Sequence, residues 1–329
     1  MADPLRMKLK GVNRMDIKHV TVAGAGVLGS QIAFQIAYRG FDVTVWLRSE
    51  ESVDRARPRL ERLRRTYLET LEAMKTDTNA YSRGLVDSPH VTASQLDQLK
   101  ERVERAAGSI RLTTSYEEAG RQADLLIEAI SENPDDKIAF YEKMANHLPE
   151  NAIIATNSST MVPSRFAKFT GRPERYLAMH FANQIWRRNT AEIMGHPGTS
   201  KEVFDEIVEF AKAIAMIPLV LHKEQPGYIL NTLLIPFLAA AEQLIVDEVA
   251  DIETIDKTWM LATGAPVGPI RSMDIIGLRT MFEIGNLDKR AKDPGSVQGR
   301  IQRMLKQHID RGETGVESGK GFYSYQKRV

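Results

Sequence analysis

His180 closes a short apolar run, Tyr176-Leu177-Ala178-Met179-His180-Phe181-Ala182-Asn183, and Glu192 follows twelve residues later within Thr190-Ala191-Glu192-Ile193-Met194. Imidazole is suited to moving a proton near neutral pH. A carboxylate hydrogen-bonded to its far nitrogen fixes the tautomer and stabilises the imidazolium, which suits alcohol/ketone interconversion coupled to hydride transfer. A histidine on a strand is also a common satisfied structural residue, so the pair by itself leaves both readings open.

The second chemical signature lies near the start of the chain. His19-Val20-Thr21-Val22-Ala23 is a β-branched run followed by Gly24-Ala25-Gly26-Val27-Leu28-Gly29 and then by a helical pattern from Gln31 to Tyr38. A strand, a glycine turn and a helix in that order form a dinucleotide-binding unit. Gly24 permits the tight turn, Gly26 lets the backbone approach a pyrophosphate, and Gly29 lets helix and strand pack closely. The free N–H groups at the helix start, at Val27 and Leu28, then face the phosphates.

Gly40 ends that helix, and Phe41 to Leu47 reads as the second parallel strand of a βαβ unit. An acidic residue at the end of this strand accepts the adenosine ribose 2′-OH and repels a 2′-phosphate. Here the chain has Leu47, Arg48 and Ser49, a guanidinium and a hydroxyl suited to a 2′-phosphate, so NADP is the favoured cofactor. NAD is the alternative, with Arg48 merely facing solvent.

The elements that must position these groups continue along the chain. Glu50 to Ala73 and Ser94 to Ala107 read as helices of a protruding hairpin, with Lys75 to Pro89 as a polar connection. The arginines of the first helix read as a solvated face, with reception of substrate phosphates as the functional alternative. Ala123 to Ile130 is a buried strand leading through Ser131-Glu132-Asn133-Pro134 into a helix from Lys137 to Leu148. Ile153 to Asn157 is another strand. Ligands in open parallel sheets sit beyond the carboxyl ends of strands, which directs Glu132, Asn157, Ser158 and Ser159 to the cleft. The remaining sequence turns helical from Gly227, with helices at Ile229–Val246, Asp251–Ala262, Arg271–Gly285 and Val297–Arg311. The expected fold is α/β, a Rossmann-type domain over 17–222 with the helical hairpin, followed by an all-helical domain over 223–329 that carries a homodimer interface.

Composition removes several classes of function. The 329 residues hold 44 Lys+Arg against 43 Asp+Glu and no cysteine. A nucleic-acid binder is not expected from this balance, and thiolate catalysis and thiolate metal centres are excluded. His196, His222 and His308 lack a ligand-like spacing, so no metal site is expected. Met1 to Lys18 is charged and lacks an apolar core, so neither signal peptide nor anchor is expected and a cytoplasmic location follows. Tyr228 to Val246 contains Asn231, Pro236, Glu242 and Gln243, and reads as a buried helix rather than a membrane span.

These motifs together resemble the 3-hydroxyacyl-CoA dehydrogenase family, and within it the diketoreductase-like branch. The resemblance rests on Gly24–Gly29, Glu128–Asn133, Thr156–Ser159, His180–Asn183, Glu192, Pro226–Asn231, Gly264–Pro269 and Gly319–Tyr323, in the family's order. It implies that His180 is the general acid/base with Glu192 as its electrostatic partner, acting on a 3-hydroxy/3-oxo substrate to give the L (S) alcohol. It further implies that Ser159 and Asn231 bind the reacting oxygen or the neighbouring carbonyl. Glu132 and Lys137 would line the nicotinamide-ribose side.

The chain departs from the family pattern at two places. The family's His-Phe-Phe-Asn-Pro becomes His180-Phe181-Ala182-Asn183-Gln184, followed by Ile185-Trp186-Arg187-Arg188-Asn189. Leu47 replaces the family's Asp. Asn183, Trp186 and Arg187 are therefore the residues expected to set substrate choice, between a CoA thioester and a ketone or diketo ester without that handle. A hydroxy acid or carnitine substrate also stays open, as does a noncatalytic nucleotide-binding protein of the crystallin kind. Retention of His180, Glu192, Ser159 and Asn231 argues against the last.

Overall fold

The computed structural model describes residues 17–325, so the reading of Met1–Lys18 falls almost wholly outside the described residues. The chain divides into two compact units between Ile229 and Leu230, rather than after His222. The connecting residues stay with the first unit because Tyr228 is fully buried there with Ala178, Met194 and Leu221.

In the first unit, β-branched runs buried on both faces build a sheet that is parallel except at one pair, the pattern expected when helices cover both sides. β1 (His19–Ala23) leads through the glycine turn into α1 (Val27–Tyr38) and returns as β2 (Asp42–Trp46). α2 (Glu50–Ala73) and α3 (Ala93–Ser109) follow, the latter opened by a Thr92/Gln95 capping box. Ion pairs Lys75–Asp97, Glu72–Lys100 and Arg64–Glu104 descend one helix while climbing the other, so the two form an antiparallel hairpin. Its inner face, including Val53, Leu63, Tyr67, Leu71, Leu96 and Val103, joins the same apolar core as α1.

Then come β3 (Arg111–Thr113), α4 (Tyr116–Gly120), β4 (Leu125–Glu128), α5 (Pro134–Met144), β5 (Ile153–Thr156), β6 (Tyr176–Phe181), β7 (Thr190–Gly195), α6 (Lys201–Ala213) and β8 (Ile217–Leu221). Among the described residues the sheet has eight strands in the order β3-β2-β1-β4-β5-β6-β7-β8. Neighbours are parallel except β6 and β7, which are antiparallel. Sequence patterning did not mark β3, α4, α6 or β8. β3 has only three residues, and β8 leaves Ile217, Leu219 and Val220 about two-fifths exposed, so both depend on a neighbouring strand for their definition.

The second unit is helical: α7 (Tyr228–Val246, entered from the last two residues of the first unit), α8 (Ile252–Thr263), α9 (Pro269–Ile276), α10 (Leu278–Gly285) and α11 (Val297–Asp310). Leu238, Ala241, Ile255, Ile270, Met273, Leu278, Ile301 and Leu305 form its core. Two expectations are corrected. The single helix over Arg271–Gly285 is two helices broken at Gly277, whose φ of +99° lies outside helical conformations. The helix over Tyr228–Val246 is not buried within the chain: only 17% of its apolar window is covered, because the core takes up little more than Leu238, Ala241 and Glu242.

Candidate active site

The reversal between β6 and β7 sets His180 directly opposite Glu192 in the strand register. Directly opposed residues share one sheet face, and the side chains meet: His180 Nδ1 lies 3.0 Å from Glu192 Oε2. Both are buried, at 5% and 4% exposure. The second ring nitrogen, Nε2, lies 3.2 Å from Ser159 Oγ on the segment after β5. The far oxygen of Glu192, Oε1, accepts the Ile229 amide N–H at 2.9 Å. Nδ1 is thus committed to a carboxylate, and Nε2 faces a hydroxyl.

A pocket of about 220 Å³ adjoins this group, lined by the glycine turn from Gly26 to Gly29 and by Glu132, Lys137, Asn157, Ser158 and Ser159. The turn fits the diphosphate of a dinucleotide on steric grounds. A Cβ on Gly24 (φ +99°) would lie 2.5 Å from the Ala129 carbonyl oxygen, and one on Gly29 2.3 Å from that of Gly24, whereas one on Gly26 would meet nothing within 4 Å. Gly24 and Gly29 therefore serve packing, and Gly26 keeps open the space before the N-terminus of α1, which has no side-chain cap. Glu132 is held by Ser158 Oγ at 2.8 Å and the Ser159 amide at 2.6 Å. Asn157 Oδ1 accepts the Phe181 amide at 3.0 Å, tying β5's end to the strand that carries His180.

The other expected site residues are placed as follows. Leu47 is buried in the apolar core, leaving exposed Arg48 and half-buried Ser49 at the surface of that strand end. Arg59, one of the α2 arginines read as a solvated face with phosphate reception as the alternative, reaches from α2 to the Ala25 carbonyl of the glycine turn at 3.0 Å. Asn183 Oδ1 accepts Gln31 Nε2 at 2.7 Å. Trp186 packs on Tyr67 with ring centroids 5.5 Å apart, its carbonyl accepts the Gly84 amide, and Arg187 donates to the Asn79 carbonyl. Neither Trp186 nor Arg187 lines the pocket; both fasten the loop after His180 to the connection between α2 and α3. Asn231 lies on α7, in the second unit.

Two further residues of the site were not assigned from sequence. Glu128, fully buried, accepts from Lys137 Nζ at 2.6 Å, the Tyr141 and Thr156 hydroxyls at 2.7 Å each, and the Ile130 amide at 2.9 Å. The signal was a lone carboxylate at the end of the apolar run Leu125-Leu126-Ile127. Tyr228 stacks on the His180 ring and donates its hydroxyl to the Ser158 carbonyl at 2.8 Å. Burial, and then the charges of Glu132, Glu192 and Glu128, push its phenol well above the ordinary range.

A doubly covered parallel sheet, a glycine turn at its first crossover and a buried imidazole–carboxylate pair beside it define an oxidoreductase that uses a nicotinamide cofactor on a CH–OH group. The family model for the NAD-binding domain of 3-hydroxyacyl-CoA dehydrogenase matches residues 19–225, and that for the C-terminal domain matches 227–325. The chain belongs to the 3-hydroxyacyl-CoA dehydrogenase family. Mitochondrial hydroxyacyl-coenzyme A dehydrogenase of Rattus norvegicus is 29% identical over 311 residues, 94% of this chain and 92% of its own. A probable 3-hydroxybutyryl-CoA dehydrogenase of Bacillus subtilis (strain 168) is 28% identical over 316 residues, 96% of this chain and 100% of its own. Among solved structures, a diketoreductase described for substrate-directed dual catalysis of dicarbonyl compounds is 42% identical, with TM-score 0.80, covering 94% of this chain and 99% of its own.

Proposed function

We propose that this protein interconverts 3-hydroxyacyl-CoA and 3-oxoacyl-CoA, acting on the L (S) alcohol. The observation that carries this reading is the buried His180–Glu192 pair with Ser159 Oγ on the second imidazole nitrogen. Glu192 holds the proton on Nδ1, so Nε2 is the atom that exchanges a proton with the substrate oxygen: it takes one in alcohol oxidation and gives one in ketone reduction. Ser159 binds the reacting oxygen or its neighbouring carbonyl, Asn231 is a further substrate residue by the family pattern, and Glu132, Lys137 and Asn157 hold the nicotinamide-ribose side. The bound nicotinamide supplies hydride transfer at the substrate carbon. His180→Gln lowers turnover by about 10³-fold or more while cofactor affinity stays within twofold; full turnover in that variant excludes the assignment.

The preferred cofactor in this proposal is NADP, supported by Arg48 and Ser49 at the end of β2, with the Arg59 guanidinium beside the glycine turn. NAD is the alternative that the assay separates.

A second substrate reading, reduction of a ketone or dicarbonyl without a CoA handle, is favoured by the 42% identity to the diketoreductase, well above the 28–29% shared with the CoA enzymes. Steady-state kcat/KM for acetoacetyl-CoA and ethyl acetoacetate, each with NADPH and NADH, decides between them. A thioester ahead by orders of magnitude upholds the first reading. An ester that equals it upholds the second.

α7 leaves Leu230, Leu233, Ile235 and Leu244 between 39% and 68% exposed, a large apolar surface for a water-facing helix. Although α7 is long and apolar enough to cross a membrane, the proposed occupant of this surface is a second copy of the chain, giving a cytoplasmic homodimer. Light scattering on the purified protein reads the mass directly.

A further inference from the structure

Tyr228 lies flat on His180, with ring centroids 4.5 Å apart and planes inclined by 16°. Its side chain is fully buried. The hydroxyl donates to the Ser158 carbonyl at 2.8 Å, next to the residue whose Oγ faces His180 Nε2. The following amide, that of Ile229, donates to Glu192 Oε1 at 2.9 Å. Two consecutive residues therefore touch the imidazole ring, the serine segment and the carboxylate at once. They do so from a left-handed backbone: φ is +79° at Gly227 and +56° at Tyr228. That conformation is an outlier for an aromatic residue, and it persists only where surrounding contacts over-determine it.

We propose that Tyr228 is a positioning residue for the proton transfer: its ring fixes the plane of the His180 imidazole and its π face stabilises the imidazolium. This rests on the reading of His180 as the acid/base. A cation over an aromatic face is stabilised by the ring quadrupole, more so when water is excluded. The groups that face the imidazole are Glu192 from β7, Ser159 from the segment after β5 and Tyr228 from the start of α7. Behind them Glu132 is bonded to the Ser159 amide, and Glu128 is paired with Lys137. Glu192 and Tyr228 act on different parts of the ring, its edge and its face, so their effects on the imidazolium separate experimentally.

The test combines an NMR titration of His180 in ¹³C-histidine-labelled protein with the pH profile of kcat/KM. Tyr228→Leu keeps apolar volume but removes the ring, and should lower the His180 pKa by about half to one unit in both measurements. Tyr228→Phe keeps the ring; it should leave the titration in place and lower kcat by about fivefold through the loosened Ser158 carbonyl. If Tyr228→Leu does not fold, replacing Tyr228 with pentafluorophenylalanine keeps the shape of phenylalanine while reversing the ring quadrupole, and should lower the His180 pKa relative to Tyr228→Phe. Equal titrations in the fluorinated and Phe variants, or in Tyr228→Leu and the native protein, overturn the proposal. Full turnover by His180→Gln overturns the acid/base reading and this role with it, whereas an unchanged titration in a protein that needs His180 overturns this role alone.

Discussion

Lys137 Nζ lies 2.6 Å from Glu128 Oε1, and neither side chain is more than 1% exposed. The pair links the end of β4 to the first turns of α5, behind the pocket that Lys137 also lines. Charges taken this far from water survive only when each is paired and hydrogen-bonded, and Glu128 has four donors.

Removing one partner should cost more than removing both. Lys137→Met is expected to destabilise the fold by about 3–5 kcal/mol in urea unfolding, because it strands a buried carboxylate. Adding Glu128→Gln should restore a large part of that loss. A double variant as unstable as the sum of the singles would show that the two charges do not act as a pair.

Two glycines of the turn should fail differently. Gly26→Ala puts a methyl into open space, so the melting temperature should stay within about 2 °C while the cofactor Kd, read by fluorescence quenching, rises about tenfold or more. Gly24→Ala combines a φ of +99° with a 2.5 Å approach to the Ala129 carbonyl, so it should unfold or fail to accumulate. Native cofactor affinity in Gly26→Ala would remove that residue from the cofactor site.

Arg48 provides the cofactor test, since Leu47 is turned into the core and a carboxylate introduced there would be buried. Arg48→Ser should raise KM for NADPH about tenfold and leave KM for NADH unchanged, the loss of one charge-assisted phosphate contact. Equal effects on both cofactors would mean that the guanidinium does not touch a 2′-phosphate.

Glu242 gives the helical unit a pH-dependent stability. Burial raises its carboxyl from 4.5 to about 7, and its Oε1 has no hydrogen-bond partner. A carboxyl that is protonated when folded and ionised when unfolded contributes stability fully below its unfolded pKa, and that contribution is lost as pH rises toward the folded value. Glu242→Gln should therefore gain about 3 kcal/mol on the native protein between pH 4.5 and pH 8 in urea unfolding. Parallel stability curves over that window would show that Glu242 is ionised in the fold.

Much of the site was legible locally. The glycine turn announced itself because its residues are contiguous and each has a steric task. His180 and Glu192 stood out because both are polar residues inside apolar strands, and the family resemblance assigned their partnership. The break at Gly277 was missed because the apolar period on either side of it is helical, and only its φ reveals the turn. Trp186 and Arg187 looked like specificity residues from their position after His180. Not legible was that their side chains reach Tyr67 and Asn79, contacts more than a hundred residues away in the chain.

By itself the sequence determined most of the elements and their chemical cargo, since strand and helix periodicity, turn glycines and polar residues at strand ends act over a few residues; β3, α4, α6 and β8 are the elements it left unmarked. Tertiary structure alone decided which groups meet. The antiparallel pairing of β6 and β7 aligns His180 with Glu192, the proximity of β5 to β6 delivers Ser159, and a left-handed turn at Gly227 and Tyr228 lays an aromatic ring on the imidazole. Those contacts depend on strand order and register, which are set by burial across the whole sheet rather than by any local run of residues.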